Sequence, residues 1–285
     1  TTFGVGALAK GYLQDQLFLG GTVFGSVDEA RGVIGGFWDF RIPGTDRLYF
    51  TAYGAYAHYP AQRAYSQSPR FSSSSVPDTA GANDSSKDNY IQDEGDDNWL
   101  ELKLEYVLPI GSMKEKGQAE YFLKNGILTS GASGGEKWNP FDSGITVLLL
   151  GSSSRYQSYE TETVIYNGDT FPFQLGLLYN NTDFPTNPTR GSSQYFGFSS
   201  DFSDSVSGSW SFIEFEAAKY FDLGSSRYSR QRIAAFNFWT GSSPTAKESL
   251  DGDGNTITIN RPPFTEGARL GGMYRLRAYP NNRFN

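Results

Sequence analysis

The chain contains no cysteine, which excludes disulfides and thiolate metal sites. It has one histidine, His58, and two methionines, so acid–base and nucleophilic catalysis have little to draw on. His58 stands in Ala57-His58-Tyr59-Pro60, and a phospholipase-like pair would recruit Ser66 or Ser68. No Gly-x-Ser-x-Gly elbow accompanies them, and His58, near a strand end, reads as a girdle histidine. Walker, dinucleotide and zinc motifs are absent as well. We therefore expect neither an enzyme nor a cofactor. Long hydrophobic runs are also missing. The best, Ile145-Thr146-Val147-Leu148-Leu149-Leu150, is far below the roughly 17–25 apolar residues of a membrane-crossing helix. Positive charge is scarce: a net charge of −7 and a pI near 4.9 argue against nucleic acid as a partner. No signal peptide is visible, since Thr1-Thr2-Phe3-Gly4-Val5-Gly6 already reads as strand. An exported protein would have lost its signal on processing.

Aromatics and glycine are what the chain has in plenty. Of its 285 residues 18 are Tyr, 22 Phe and 33 Gly, at a mean hydropathy of −0.48. This composition suits aromatic girdles around a polar-lined barrel, and a soluble β-sandwich fits it about as well. The clearest pattern is Leu100-Glu101-Leu102-Lys103-Leu104-Glu105-Tyr106, apolar at even positions and charged at odd ones, which puts a greasy and a charged face on opposite sides of one strand. Ile34, Trp38, Phe40 and Ile42 repeat it, as do Phe171 through Tyr179 at odd positions. Ile213, Phe215, Ala217 and Phe221 alternate with Glu214 and Glu216, which we read as lumen-lining carboxylates. In a sandwich the greasy face would look inward; in a membrane barrel it meets lipid and the charges line the lumen.

Strands are expected at 3–13, 16–25, 30–42, 47–59, 99–108, 144–159, 171–180, 193–202, 210–221 and 231–240, with a weaker one at 118–123. Many reach the roughly 9–11 residues of a tilted membrane strand rather than the ~5–6 of a globular one. Residues 61–97 read as one long external loop ending in the acidic run Asp93-Glu94-Gly95-Asp96-Asp97. That run would bridge cations to lipopolysaccharide or simply be solvated. The side occupied by 114–142 is left open. Asp251, Asp253 and Asn255 partly mimic a calcium loop, though Thr256 replaces its glycine and Pro262 its final glutamate. A flexible polar loop is the competing reading.

Two segments carry a resemblance. The first is Gly271-Gly272-Met273-Tyr274-Arg275-Leu276-Arg277-Ala278-Tyr279, followed by Arg283 and Phe284. The second runs from Asp183 through Asn187 and Pro188 to Gly191, which precedes Arg277 by 86 positions. Together they resemble the bacterial surface antigen family of outer-membrane barrels, the assembly factors of the Bam complex and the two-partner secretion transporters. The first resembles the family's Leu-Arg-Gly-Tyr/Phe segment, with Ala278 where glycine is usual; the second is similar to its Asp…Asn-Pro-x-x-Gly periplasmic turn.

The resemblance implies an all-β, antiparallel, transmembrane barrel of the sixteen-stranded type, integral to the outer membrane of a Gram-negative-type cell. About ten or eleven strands precede the sixth loop, 241–285, within a single barrel domain spanning 1–285. The family's further strands and its POTRA domains lie outside this sequence. It also implies that the loop folds into the lumen, Arg277 pairing with a wall carboxylate and Tyr279 packing against the wall. The implied function is insertion or translocation of polypeptides. The implied partners are the bilayer, lipopolysaccharide, client polypeptides, and accessory outer-membrane or periplasmic proteins. A structural, anchoring or pore-forming barrel subunit is the first alternative, and the anchor of an outer-membrane lipase the second.

Overall fold

The structure, a computed structural model, describes residues 2–10, 18–26, 32–64, 91–118, 122–124, 127–130, 134, 137–160, 165–203, 208–229, 231–250, 252, 254, 256–263 and 266–267. It is all-β apart from a single 3-10 turn at Gly111–Met113 among these residues.

An 11-stranded antiparallel sheet dominates. Its strands are β1 (Thr2–Lys10), β2 (Phe18–Ser26), β3 (Gly32–Arg41), β4 (Leu48–Ala64), β5 (Ile91–Val107), β8 (Ile145–Glu160), β9 (Ile165–Thr170), β10 (Phe173–Asn180), β11 (Gly191–Asp201), β12 (Trp210–Asp222) and β13 (Ile233–Ser242). The short strands β6 (Phe122–Lys124) and β7 (Ile127–Ser130) pair with each other in the β5–β8 connection. Likewise β14 (Lys247–Leu250) pairs β15 (Thr256–Ile259) beyond β13. Apart from β9, each strand of the large sheet lies beside the next in an up-and-down meander. Strands β9 and β10 lie in one register along β8, Thr170 opposite Arg155 and Phe173 opposite Ser152. They part at Pro172, which has no N–H to give the ladder; its carbonyl still accepts from the Ser153 N–H at 3.0 Å.

Every main strand segment expected from the alternation falls on this sheet; the differences lie at the ends and in β9, which was not expected. The expected loop 61–97 is shorter, because β4 continues to Ala64 and β5 begins at Ile91. The acidic run Asp93–Asp97 is therefore ladder strand, with Asp97 opposite Ala57 and Asp96 opposite His58. The weak candidate at 118–123 contributes only β6, off the main sheet. The hairpin β14–β15 lies within the expected sixth loop, 241–285.

Direct cross-strand partners share a face, so the register sorts the side chains. One row runs Phe50, Leu104, Leu150, Leu175, Phe198, Ile213. The next row, on the opposite face, runs Thr51, Lys103, Gly151, Gln174, Ser199, Phe212. The apolar face is the open one: Leu102 is 40% exposed and Leu175 41%, and Leu148, Leu177, Phe196 and Phe238 are exposed beside them. Buried hydrophobic side chains among the described residues are few, namely Ala57, Val107, Met113, Tyr179, Trp210 and Phe212. A water-soluble sheet buries its greasy face under a second layer; here no described element covers it.

The sheet has two distinct ends. Val107, Val147 and Leu178 align at one, which we term the turn end. It carries the connections at 42–47, 108–144, 181–190 and 223–232. The opposite, loop end carries 65–90, 202–209 and the departure of the chain after Ser242.

Candidate functional site

The polar face holds the chemistry. On β5, Asp97, Trp99, Glu101, Lys103 and Glu105 line up by alternation, and Lys103 pairs with Glu101 at 2.6 Å. On β12, Glu214 accepts the indole N–H of Trp239 at 3.1 Å, and Glu216 accepts the Asn237 amide at 3.0 Å. Both expected lumen carboxylates thus lie on the polar face, bonded to β13. Tyr195 lies flat along the same face over Gly176 and Gly197. A Cβ at Gly197 would come within 2.7 Å of the tyrosine Oη, so glycine there makes room for the ring.

Arg155 on β8 is the centre of the site. Its Nε and Nη2 donate to Oδ1 and Oδ2 of Asp97 at 2.8 and 2.6 Å, a bidentate pair. Nη1 donates to Oε1 of Glu266 at 3.3 Å, and the guanidinium stands 5.8 Å from the Trp99 ring centroid. Glu266 belongs to the segment after β15, so the chain that left the sheet at the loop end has come back to the polar face. The return is built stepwise. The Ser211 N–H donates to Thr245 Oγ1 at 2.8 Å, and that hydroxyl donates to the Asn260 carbonyl at 2.8 Å. Asn260 takes a positive φ of 55°, which turns the chain, and the buried Pro262 and Pro263 follow. Polar cavities open on this face on either side of Gln174, one beside Trp99, Arg155 and Glu266, the other beside Tyr195, Glu214 and Glu266.

The second expected motif is a closed turn. Asp183 accepts the N–H of Phe184 at 3.0 Å, of Thr189 at 2.9 Å and of Arg190 at 3.3 Å, and the Thr189 hydroxyl at 2.5 Å. Burial pushes its carboxyl up, but these four donors outweigh burial and hold it below the usual carboxylate range. Gly191 has φ +100°, and a Cβ there would run into the Asn181 carbonyl. Asn187, exposed, and Pro188, half-buried, lie in the arc that Asp183 closes.

Gly271, Gly272, Arg275, Leu276, Arg277, Ala278, Tyr279, Arg283 and Phe284 lie outside the described residues, as do Asp251, Asp253, Asn255, Ser66 and Ser68. Among the described residues no cluster of His, Cys, Asp or Glu could hold a metal ion. His58 bonds Asp96 at 2.9 Å through Nδ1. Sequence reasoning missed Arg155, Asp97 and Glu266. The available signal was Arg155 itself, a lone arginine inside a strand, since such a charge persists only with a partner.

Comparison of the chain with family models, with curated proteins and with solved structures finds no match.

Proposed function

We propose that this chain forms the wall of a β-barrel integral to a bacterial outer membrane. We propose further that the segment beyond β13 is an inward-folded loop gating the insertion or translocation of polypeptides. The observation that carries the reading is the inverted polarity of the sheet. Leu102, Leu148, Leu175, Leu177 and Phe238 are exposed on one face, and the charged side chains and the returning segment at Glu266 share the other. Hydrocarbon is the solvent that makes such an arrangement stable, because it accepts the greasy face and leaves the polar one to a wet lumen. A polypeptide path follows from the surface antigen resemblance, which the returning segment supports: it leaves at the loop end and docks on the polar face, as the family's sixth loop does. No nucleotide chemistry enters; the energy for a client comes from its own strand pairing and folding.

The test uses the purified protein in proteoliposomes, with assembly of an unfolded outer-membrane client or passage of a secreted polypeptide as readout. Arg277→Ala should insert like the parent and lose most of that activity. Full activity in Arg277→Ala removes the transport reading and leaves a pore or anchor. Failure of the parent chain to associate with vesicles removes the membrane reading itself.

A further inference from the structure

The outer face is bare along the apolar belt, and at the turn end it is covered. At the turn end Tyr179, two residues beyond the exposed Leu177 and on the same face, is 8% exposed, and its cross-strand partner Thr146 is buried too. The cover is the stretch 137–144, the last part of the β5–β8 connection. Tyr179 Oη donates to the Trp138 carbonyl at 2.9 Å and approaches that of Ser143 at 3.2 Å. Asn181 clamps the stretch from below. Its amide donates to the Lys137 carbonyl, and its Oδ1 accepts the Ser143 hydroxyl at 2.6 Å. Within the stretch the Asn139 side chain accepts the Phe141 N–H at 3.1 Å and donates to Asp142 at 3.0 Å. The backbone is thus pinned against the sheet while two large rings point away from it. Trp138 is 74% exposed and Phe141 69%.

We propose that residues 137–144 form an interfacial collar that seats Trp138 and Phe141 in the headgroup layer of the bilayer on the turn side. This rests on the membrane reading and adds to it a specific lipid contact outside the strands. Three observations choose lipid as the occupant. The collar is continuous with the apolar belt, since it begins where Leu148 and Leu177 leave off. Its chemistry is that of a membrane rim, with tryptophan and phenylalanine beside the exposed Lys137. Its depth fits as well. On β8 the outer face runs from Tyr156, its last aromatic before Ser158 and Glu160, to Thr146 under the collar. At about 3.4 Å per residue and a tilt of about 40°, that length projects to roughly 26 Å, close to the ~25 Å apolar band of outer-membrane barrels.

The absence of native cysteine makes the test clean. Single variants Trp138→Cys, Phe141→Cys, Leu177→Cys and Tyr228→Cys are labelled with an environment-sensitive fluorophore and reconstituted into vesicles. Their lipids carry bromine at shallow or deep acyl positions, and iodide is the aqueous quencher. Labels at 138 and 141 should be quenched best by shallow bromine, and label 177, on the belt, by lipid bromine and not by iodide. Label 228, on a side chain 92% exposed in the 223–232 turn, should respond to iodide. If labels 138 and 141 follow iodide as label 228 does while label 177 follows lipid, the collar faces water or a protein partner and the inference falls, with the membrane reading intact. Iodide quenching of label 177 overturns both.

Discussion

Glu266 meets Arg155 across 111 residues of sequence, its Oε1 3.3 Å from Nη1. The contact reverses the polarity expected for the loop. An arginine of the segment beyond β13 was to seek a carboxylate on the wall; here a carboxylate of that segment seeks an arginine on the wall. The two are compatible, because Glu214 and Glu216 lie on the same face for a loop arginine to meet.

This geometry separates two variants. Arg155→Ala strands Asp97, whose carboxylate is buried, and removing one partner of a buried ion pair costs about 3–5 kcal/mol. Arg155→Lys should recover part of that, since an ammonium cannot form the bidentate pair. Glu266→Gln leaves Arg155 and Asp97 joined and weakens only the hold on the returning segment. We expect an unchanged urea midpoint for Glu266→Gln with faster proteolysis between Ser243 and Gly267, and a lowered midpoint for Arg155→Ala. Equal effects of the two would mean that the segment is not held through Glu266.

The exposed face predicts a depth-dependent charge penalty. Leu102→Arg or Leu175→Arg, in the middle of the apolar belt, should cost about 2–4 kcal/mol in refolding titrations into vesicles. Lys103→Gln, one residue away on the polar face, should be close to neutral. Tolerance of arginine at both leucines would argue that this face meets water.

Much of this sheet was legible because the period-2 signal is strong where one face is charged. Leu100 through Tyr106 fixed the face assignment of β5 before any pairing was known. The ends were less legible. Asp93 through Asp97 looks like solvated loop because an acidic run is rarely strand, but Asp97 is stabilised by Arg155, a partner 58 positions away. Thr256 through Ile259 alternate too briefly to announce β15, and their pairing with Lys247–Leu250 supplies what propensity does not. At the site, Asp183 and Gly191 were readable because turn chemistry is local. Arg155 and Glu266 were not, because the contact joining them is purely tertiary.

Asp183 makes the turn acid-sensitive. Its carboxyl is held below the usual range in the folded state, so its contribution is complete above the unfolded value of about 3.9 and fades as pH falls through the lower folded value. Asp183→Asn keeps the shape but loses the charge, and charge-assisted bonds of this kind are worth about 1.5–3 kcal/mol together with their donors' satisfaction. At neutral pH the variant should show faster amide exchange at Thr189 and Arg190, and the gap to the parent should narrow below about pH 4. A gap that stays constant down to strong acid would rule out the carboxylate as the cause. Gly191→Ala should loosen the same amides at every pH, because both its φ of +100° and the adjacent Asn181 carbonyl oppose a Cβ.

The last prediction concerns which ends of the strands meet the outside. The β4–β5 connection and the Asp183 turn lie at opposite ends of the sheet, since Ala64 pairs with Ile91 at one end while Val107, Val147 and Leu178 align at the other. With the loop end outward, protease added to intact cells should cut within 65–90 and leave 181–190 whole. The ladder sharpens the expectation. Gln62, Arg63 and Ala64 are paired with Asp93, Gln92 and Ile91, and a protease needs an extended, unpaired backbone to bind. Cleavage should therefore fall between the ladder ends and not at 61–64 or 91–97. The turn resists even when reached, because Asp183 holds Phe184, Thr189 and Arg190. Breaching the membrane should then expose 223–232, whose Tyr228 stands free of the sheet, before 181–190. Cutting at 181–190 in intact cells, with 65–90 spared, would reverse the orientation proposed here.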